Sequence, residues 1–339
     1  MKLTSNMLFR RVVELKIHSV FFERDTDGNL LVDEDNNTVR KSTFTRTINN
    51  LTADGKNIDP NALRIEFNIE KGFLYYASKC RLSIKNLNRE TRYIFATADY
   101  THITLNLGYL GTGLSKAFEG EVITVFNQIE SRNTRATNIT AISNQAFQNF
   151  SYLTATFRKG TTYYEIADYI AKNGSLPSDI ELPDALKNFA IDRSYTIDGG
   201  VNEALQRITR EIGMTFDMSK MEIKKISRIL EVGEELAVLN HESGIVDFPT
   251  LENNGVRFTS LYNPKIKISE HIKIKSDIIS EEYQGDPFPN RKLGAWLDPS
   301  DIYFVVKLTI SGNNKDGDFY CRGTALARTY VAGMIQTMP

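Results

Sequence analysis

The feature that most limits how this chain can fold is a two-residue alternation of apolar and polar side chains. In the run Leu63–Glu70, Leu63, Ile65, Phe67 and Ile69 alternate with Arg64, Glu66, Asn68 and Glu70. Successive side chains of an extended strand point to opposite faces, so the run reads as a half-buried strand. The same pattern recurs at Val13, Leu15 and Ile17, at Cys80, Leu82 and Ile84, and at Ile103, Leu105 and Leu107. Turn-forming segments separate these runs: Asp25–Asn29, Asp33–Asn37, Asp54–Pro60 and Gly108–Gly113. Residues 1–150 therefore read as β, an antiparallel barrel or sandwich with one polar face.

The period then changes. Tyr163, Ile166, Ala167 and Ile170 are spaced to share one face of a helix, which Asn173-Gly174 ends. Thr161 or Thr162 is placed to cap its start. A second helix follows Gly199-Gly200, with Val201, Leu205, Ile208 and Ile212 as its stripe and Gly213 as its stop. A short hairpin turning around Ser219-Lys220 follows. Residues 151–229 form an α+β unit in this reading. From residue 230 the alternation returns: Ile266 and Ile268, Ile272 and Ile274, then Ile302, Phe304, Val306, Leu308 and Ile310 on one face. Glu281–Pro299, rich in Pro, Gly and Asp, reads as a loop. The fold class is mainly β with an α+β insertion, in three domains: 1–150, 151–229 and 230–339.

Charge narrows the function. Lys plus Arg is 41 and Asp plus Glu is 42, so the basic excess usual in nucleic-acid binders is absent. The N-terminal apolar residues are interrupted by Arg10, Arg11, Glu14 and Lys16, which is unlike a signal peptide. No run approaches the ~20 apolar residues of a membrane span, so no stable membrane insertion is expected. The two cysteines, Cys80 and Cys321, offer neither a disulfide framework nor a zinc motif and read as small buried apolar residues.

Several motifs come close to a known chemistry and miss it. Gly108–Gly113 suggests a phosphate loop, but Leu114 stands where the loop needs Lys, so a turn is expected. Loops starting at Asp25 or Asp33 lack the Gly and bidentate Glu of a calcium loop. His18, His102, His241 and His271 lie too far apart in sequence for a helical metal pair. No nucleophile motif accompanies His241. No catalytic residue, metal or cofactor is expected. Phe157–Asp168 resembles the opening of a LysM carbohydrate-binding repeat. That resemblance implies a peptidoglycan-binding or wall-degrading tail component built on residues 157–173; the plainer reading is a capped amphipathic helix.

Three stretches, taken in order, resemble the hub proteins of contractile phage tails. The first is Ala62–Lys71 followed by Arg81–Arg92, which carries Asn86, Leu87 and Thr91. The second is Ile103–Tyr109 followed by Phe118–Ile123, which carries Gly108, Tyr109, Phe118 and Gly120. The third is Ser243–Pro249 followed by Gly255–Pro264, which carries Gly244, Pro249, Gly255, Asn263 and Pro264. The chain departs from the pattern at Asn88, where Ser is common, and at Tyr262, where Leu is common. Gly317–Gly323 also lacks a Trp that the family often has.

The resemblance implies two barrels shaped like tail-tube subunits plus a small α+β domain, with the motif residues shaping the fold. It implies a homotrimer joining the sixfold tail tube to the threefold central spike around a channel that DNA transits. Implied partners are the tube and spike proteins, with the tape-measure protein and other baseplate subunits. The implied location is the virion baseplate, assembled in the host cytoplasm. The base of the type VI secretion spike is similar.

Overall fold

The computed structural model of the protein describes residues 10–33, 38–73, 77–144, 152–174, 182–217, 222–225, 231–233, 236–252, 255–275, 279, 300–328 and 330–331. The expected turn at Ser219-Lys220, the loop Glu281–Pro299, most of the turn Asp33–Asn37 and both expected domain boundaries lie outside these residues.

The first block holds β1 (Arg11–Phe22), β2 (Arg40–Asn49), β3 (Ile65–Gly72), β4 (Lys79–Lys85), helix α1 (Arg89–Thr97), β5 (Tyr100–Tyr109), β6 (Gly113–Ser131) and β7 (Thr134–Ile142). The alternation is realised residue by residue. Val13, Leu15, Ile17, Ile65, Ile69, Cys80, Ile84, Ile103, Leu105 and Leu107 have no accessible surface. Helix α1 departs from the all-β expectation. Only Thr91 and Phe95 of its nine residues are buried, so it carries no apolar stripe long enough to read.

The α+β unit holds β8 (Tyr152–Phe157), α2 (Tyr163–Asn173), β9 (Tyr195–Gly200), α3 (Val201–Glu211), β10 (Met214–Asp217) and β11 (Glu222–Lys225). Antiparallel ladders join β8 to β9 and β10 to β11. Ile166, Ala167, Ile170, Val201, Leu205, Ile208 and Phe216 build a core separate from that of the large sheet. Thr162 caps α2 and Gly213 ends α3 in the left-handed region, at φ 68°. Gly174 has ordinary φ; it is demanded instead by crowding, since a Cβ would lie 2.5 Å from the Ile170 carbonyl oxygen and 2.7 Å from Val201.

The last block holds β12 (Ala237–Leu239), β13 (Thr250–Glu252), β14 (Gly255–Leu261), β15 (His271–Ile274), β16 (Ile302–Asn313) and β17 (Phe319–Ala327). Two local readings change here. Ile266 and Ile268 are buried, but they lie in turns after Pro264, not in a strand. Ser269 sits at φ 60°, which ends any extended run. In β16 the ladder to β17 shifts between Val305 and Lys307. That bulge exchanges the faces, so Tyr303 and Val305 share the main core with Leu308 and Ile310, while Phe304 packs separately against Val331.

Thirteen strands of the described residues form one sheet, in the order β13-β14-β17-β16-β3-β4-β7-β6-β5-β1-β2, with β15 beside β16 and β12 beside β15. All pairs are antiparallel except β12 with β15. The two β blocks meet at β3 and β16, where Ile69 stands opposite Ile310. Their buried residues form a single core. No closed barrel forms among the described residues; the strand path is open.

Candidate functional site

The motif residues separate into three places. At the end of β4, Asn86 turns the chain with φ 56°, a conformation asparagine tolerates. Its backbone N–H donates to the Arg135 carbonyl at 2.7 Å, and its side-chain oxygen accepts from the Arg135 N–H at 2.9 Å. Leu87 then enters the core. Asn88 caps α1 by accepting the Thr91 N–H at 3.1 Å, so it performs the capping task for which Ser is also suited. The Thr91 hydroxyl, fully buried, accepts from Arg46 of β2 at 2.9 Å. These contacts tie β2, β4, β7 and α1 into one corner.

A second group lies where the two β blocks meet. Gly108 is required by the tight β5–β6 turn, because a Cβ would lie 2.1 Å from the Gly113 carbonyl oxygen. Tyr109 follows, and its hydroxyl donates to the Tyr262 carbonyl at 3.2 Å. Both tyrosine rings meet Phe319 edge to face, each at 5.4 Å, and Phe67 meets it from β3 at 5.7 Å. Burial pushes the pKa of both tyrosines above the ordinary phenol range, so they are neutral hydrogen-bonding and packing groups. Asn263 closes the turn after β14 by accepting the Lys265 N–H at 3.0 Å, and Pro264 is exposed beside it. Nearby in β6, Phe118 covers Gly120, where a Cβ would lie 2.8 Å from the ring and 2.5 Å from the Ile142 carbonyl oxygen.

The third group shapes the last block. Gly244 ends the turn His241–Ser243 at φ 94°, and its carbonyl accepts the Leu261 N–H at 2.7 Å. Pro249 is buried just before β13. Gly255 lets β14 approach β17; a Cβ there would lie 2.1 Å from the Ala325 carbonyl oxygen.

The seam between the blocks also uses residues that the motifs do not mark. Arg11 lies over the Phe319 ring at 5.4 Å and donates to the carbonyls of Asp316, Gly317 and Asp318 at 2.9, 2.6 and 3.2 Å. Arg64 reaches Asp316 at 2.9 Å and Glu66 at 2.7 Å; the Glu66 hydrogen bond chiefly raises the guanidinium pKa. Asn314 is buried and copies a strand neighbour, accepting the Ile65 N–H at 2.9 Å and donating to the Leu63 carbonyl at 2.8 Å. In the sequence, Arg11 registers only as a break in an apolar run. Asn314 carries no local signal, because its partners lie some 250 residues away.

Groups that could support chemistry are dispersed or protonated. Cys80 and Cys321 are free and buried; burial pushes the Cys321 thiol up to about 11 and the Cys80 thiol higher still. His18 bonds the Thr45 hydroxyl at 3.1 Å, while His241 meets Phe248 and His271 meets Phe304 edge to face. Among the described residues no three His, Cys, Asp or Glu side chains gather to hold a metal. No helix among them is long and apolar enough to cross a membrane.

Comparison with known proteins decides the family. The model of the family described as Baseplate hub gp41 matches residues 44–281, which includes the corner, the seam tyrosines and the Gly244–Pro264 motif. The chain belongs to this baseplate hub family. No curated protein matches the sequence. The fold resembles the 43 kDa tail protein of prophage MuSo2 from Shewanella oneidensis, with TM-score 0.50 and 9% identity over 80% of this chain and 98% of that one. It also resembles a chain of the lidless PdpA–VgrG complex, with TM-score 0.53 and 9% identity over 96% of this chain and 66% of that one. The half-lidded Francisella complex gives TM-score 0.51 and 8% identity, over 94% of this chain and 58% of that one. The hub chain thus spans about two thirds or less of those VgrG-complex chains. The wall-binding reading of residues 157–173 finds no support in these matches, and Thr162 is simply the cap of α2.

Proposed function

We propose that this hub-family chain works without catalysis, as a homotrimer that joins the sixfold tail tube to the threefold central spike and surrounds the channel. Its partners in this reading are the tube and spike proteins, with the tape-measure protein and other baseplate subunits in contact. DNA passes through without being held, and the chain resides in the virion baseplate after assembly in the host cytoplasm.

The observation that carries the reading is the joining of two β blocks edge to edge at β3 and β16 in a chain of the baseplate hub family. Residues 1–150 and 230–339 are then the two tube-like barrels, and three chains offer six such modules to a sixfold ring. Residues 151–229 are an accessory domain with its own core. A rotation of the right size closes such contacts into a ring. The motif residues Asn86, Leu87, Thr91, Gly108, Tyr109, Phe118, Gly120, Gly244, Pro249, Gly255, Asn263 and Pro264 act here by fixing the modules' shape.

Immunogold labelling of detergent-opened baseplates, with copy number read from averaged particle images, tests this. Label at the spike end of the tube with three copies per tail is expected. Absence of label from opened baseplates, or six copies per tail, would overturn it.

A further inference from the structure

Histidines too far apart in sequence for a helical metal pair can still be neighbours across a sheet. His18 of β1 stands directly opposite His102 of β5, and His102 directly opposite Glu121 of β6. Residues paired in this way share one face, and their Cβ atoms lie about 4.5–5.5 Å apart. Two imidazoles rooted that close can each turn a nitrogen onto one ion, with metal–nitrogen bonds of about 2.0–2.1 Å.

The surroundings suit a cation. Thr45 stands opposite His18 on β2, and its hydroxyl lies 3.1 Å from His18 Nδ1, which leaves Nε2 for an ion. His102 Nε2 lies 3.7 Å from Glu119 Oε1. That is too long for a hydrogen bond and close to the separation of two ligand atoms on one ion. The other oxygen of Glu119 pairs with Lys116, which holds the carboxylate in place. Burial, more than any charge, lowers the pKa of His102, so its ring keeps a lone pair at pH 7. Among the charges around it, Glu119 and Glu121 favour positive charge, and each acts more strongly than the opposing His18 or Lys116. His102, Glu119 and Glu121 line a cavity of about 390 Å³, and the His102 side chain is 29% exposed, so an ion can reach it. Among the described residues no three ligands already gather as a cage. Rotation of the His18 ring about its side-chain bonds closes the set.

We propose that His18 and His102, with Glu119 as a third ligand, bind Zn²⁺ across strands β1 and β5, with water completing the shell. Two imidazoles and one carboxylate suit zinc, whereas calcium takes oxygen ligands. The site is independent of the hub role proposed above.

Calorimetric titration of the purified, EDTA-treated full-length chain with Zn²⁺ at pH 7.5 tests the proposal. One ion per chain is expected, and excess Ca²⁺ should not displace it. His18→Gln and His102→Gln are each expected to weaken binding about tenfold or more. Glu119→Gln should weaken it less, and His241→Gln should leave it unchanged. Should a variant fail to fold, NMR of the wild type decides: the imidazole signals of His18 and His102 should move with Zn²⁺ while those of His241 and His271 stay. A chain that does not bind Zn²⁺, undiminished binding in both the His18 and His102 variants, or movement of the His241 and His271 signals instead, would overturn the proposal.

Discussion

The α+β unit and the large sheet both bury an apolar core, but they gather it over different lengths of chain. In the α+β unit the described buried core residues fall between Leu153 and Ile223, with Ala77 packed against their edge, and β8 and β9 pair across the segment that carries α2. In the sheet the central pairing sets Ile69 against Ile310, and Asn314 reaches back to Ile65. Closing a longer loop adds to the entropic cost only slowly, but contacts distant in sequence form late and slow folding. The α+β unit can therefore hold its core from local signals. The sheet depends on close approaches of distant backbones, so its weak points are positions where a single atom blocks that approach.

Glycine substitution separates the two regions most sharply. At Gly255 an added Cβ meets the Ala325 carbonyl oxygen, which cannot move without disturbing the β14–β17 ladder. Gly255→Ala is expected to cost about 3 kcal/mol or more, in the range of severe overpacking. At Gly200, which precedes α3, nothing lies within 4 Å of the added atom. Gly200→Ala is expected to change stability by less than about 1 kcal/mol, since its φ of −64° suits alanine and the N-cap preference for Gly is offset by the stiffer unfolded chain. Urea unfolding of both variants checks the difference; equal losses would mean that the close approach in the sheet is readily relieved.

Asn314→Ala is the next largest. It leaves the buried Ile65 N–H and the Leu63 carbonyl without their partners, at about 2–3 kcal/mol together. Chemical denaturation read by a probe in the sheet should register the loss. Unfolding of the α+β unit, followed by methyl NMR of Ile166 and Ile208, should begin at the same denaturant concentration as before.

What could be read in advance follows the same division. Both long helices of the α+β unit carry an apolar stripe and a local stop, so α2 and α3 were legible, with the cap of α2 narrowed to Thr161 or Thr162 and the structure choosing Thr162. Strands β1, β3, β4 and β5 were legible because one face of each is buried along an alternating run; β2 was not, since only Ile48 of its ten residues is buried. Helix α1 was not, since a single buried pair, Thr91 and Phe95, makes no period. The face reversal in β16 was not either: a bulge is one extra residue, and the apolar run Tyr303–Val306 looks alike from both sides. The hub motifs marked Tyr109 but not the Phe319 ring that it meets, nor Arg11 or Asn314. Those residues acquire meaning only when strands more than 200 residues apart are brought together.

Alkaline pH should weaken the sheet before the α+β unit. Both cysteines lie in the sheet and none in residues 151–229. Burial raises the pKa of each thiol above its ordinary value of 9.0. A group whose pKa is raised by folding contributes stability that is complete below the unfolded pKa and is lost as pH rises toward the folded one. From pH 9 to 10 the sheet should therefore lose roughly 1–2 kcal/mol. In the α+β unit Tyr163 is pushed up to about 12 from 10.0, chiefly by burial and its bond to Glu211, so its contribution fades only above pH 10. Limited proteolysis at pH 8 and pH 10, with cleavage sites mapped, distinguishes the regions; first cuts within 151–229 at pH 10 would reverse the order expected.

The smallest effect belongs to the cap of α2. The Thr162 hydroxyl accepts the Glu165 N–H at 3.2 Å, and the Glu165 carboxylate accepts the Thr162 N–H at 2.8 Å, a reciprocal pair that satisfies two helix-end donors. Thr162→Ala removes the first bond and is expected to cost about 1 kcal/mol, while Thr162→Ser should restore most of it. The loss should appear in Ile166, Ala167 and Ile170, which α2 buries in the local core. It should not reach Leu15 or Ile69, which belong to the other core. Amide hydrogen exchange resolves the two: faster exchange confined to residues 152–217 would mean that the units open separately. Faster exchange in β1 and β3 as well would mean that the α+β unit and the sheet unfold as one cooperative body, despite their separate cores.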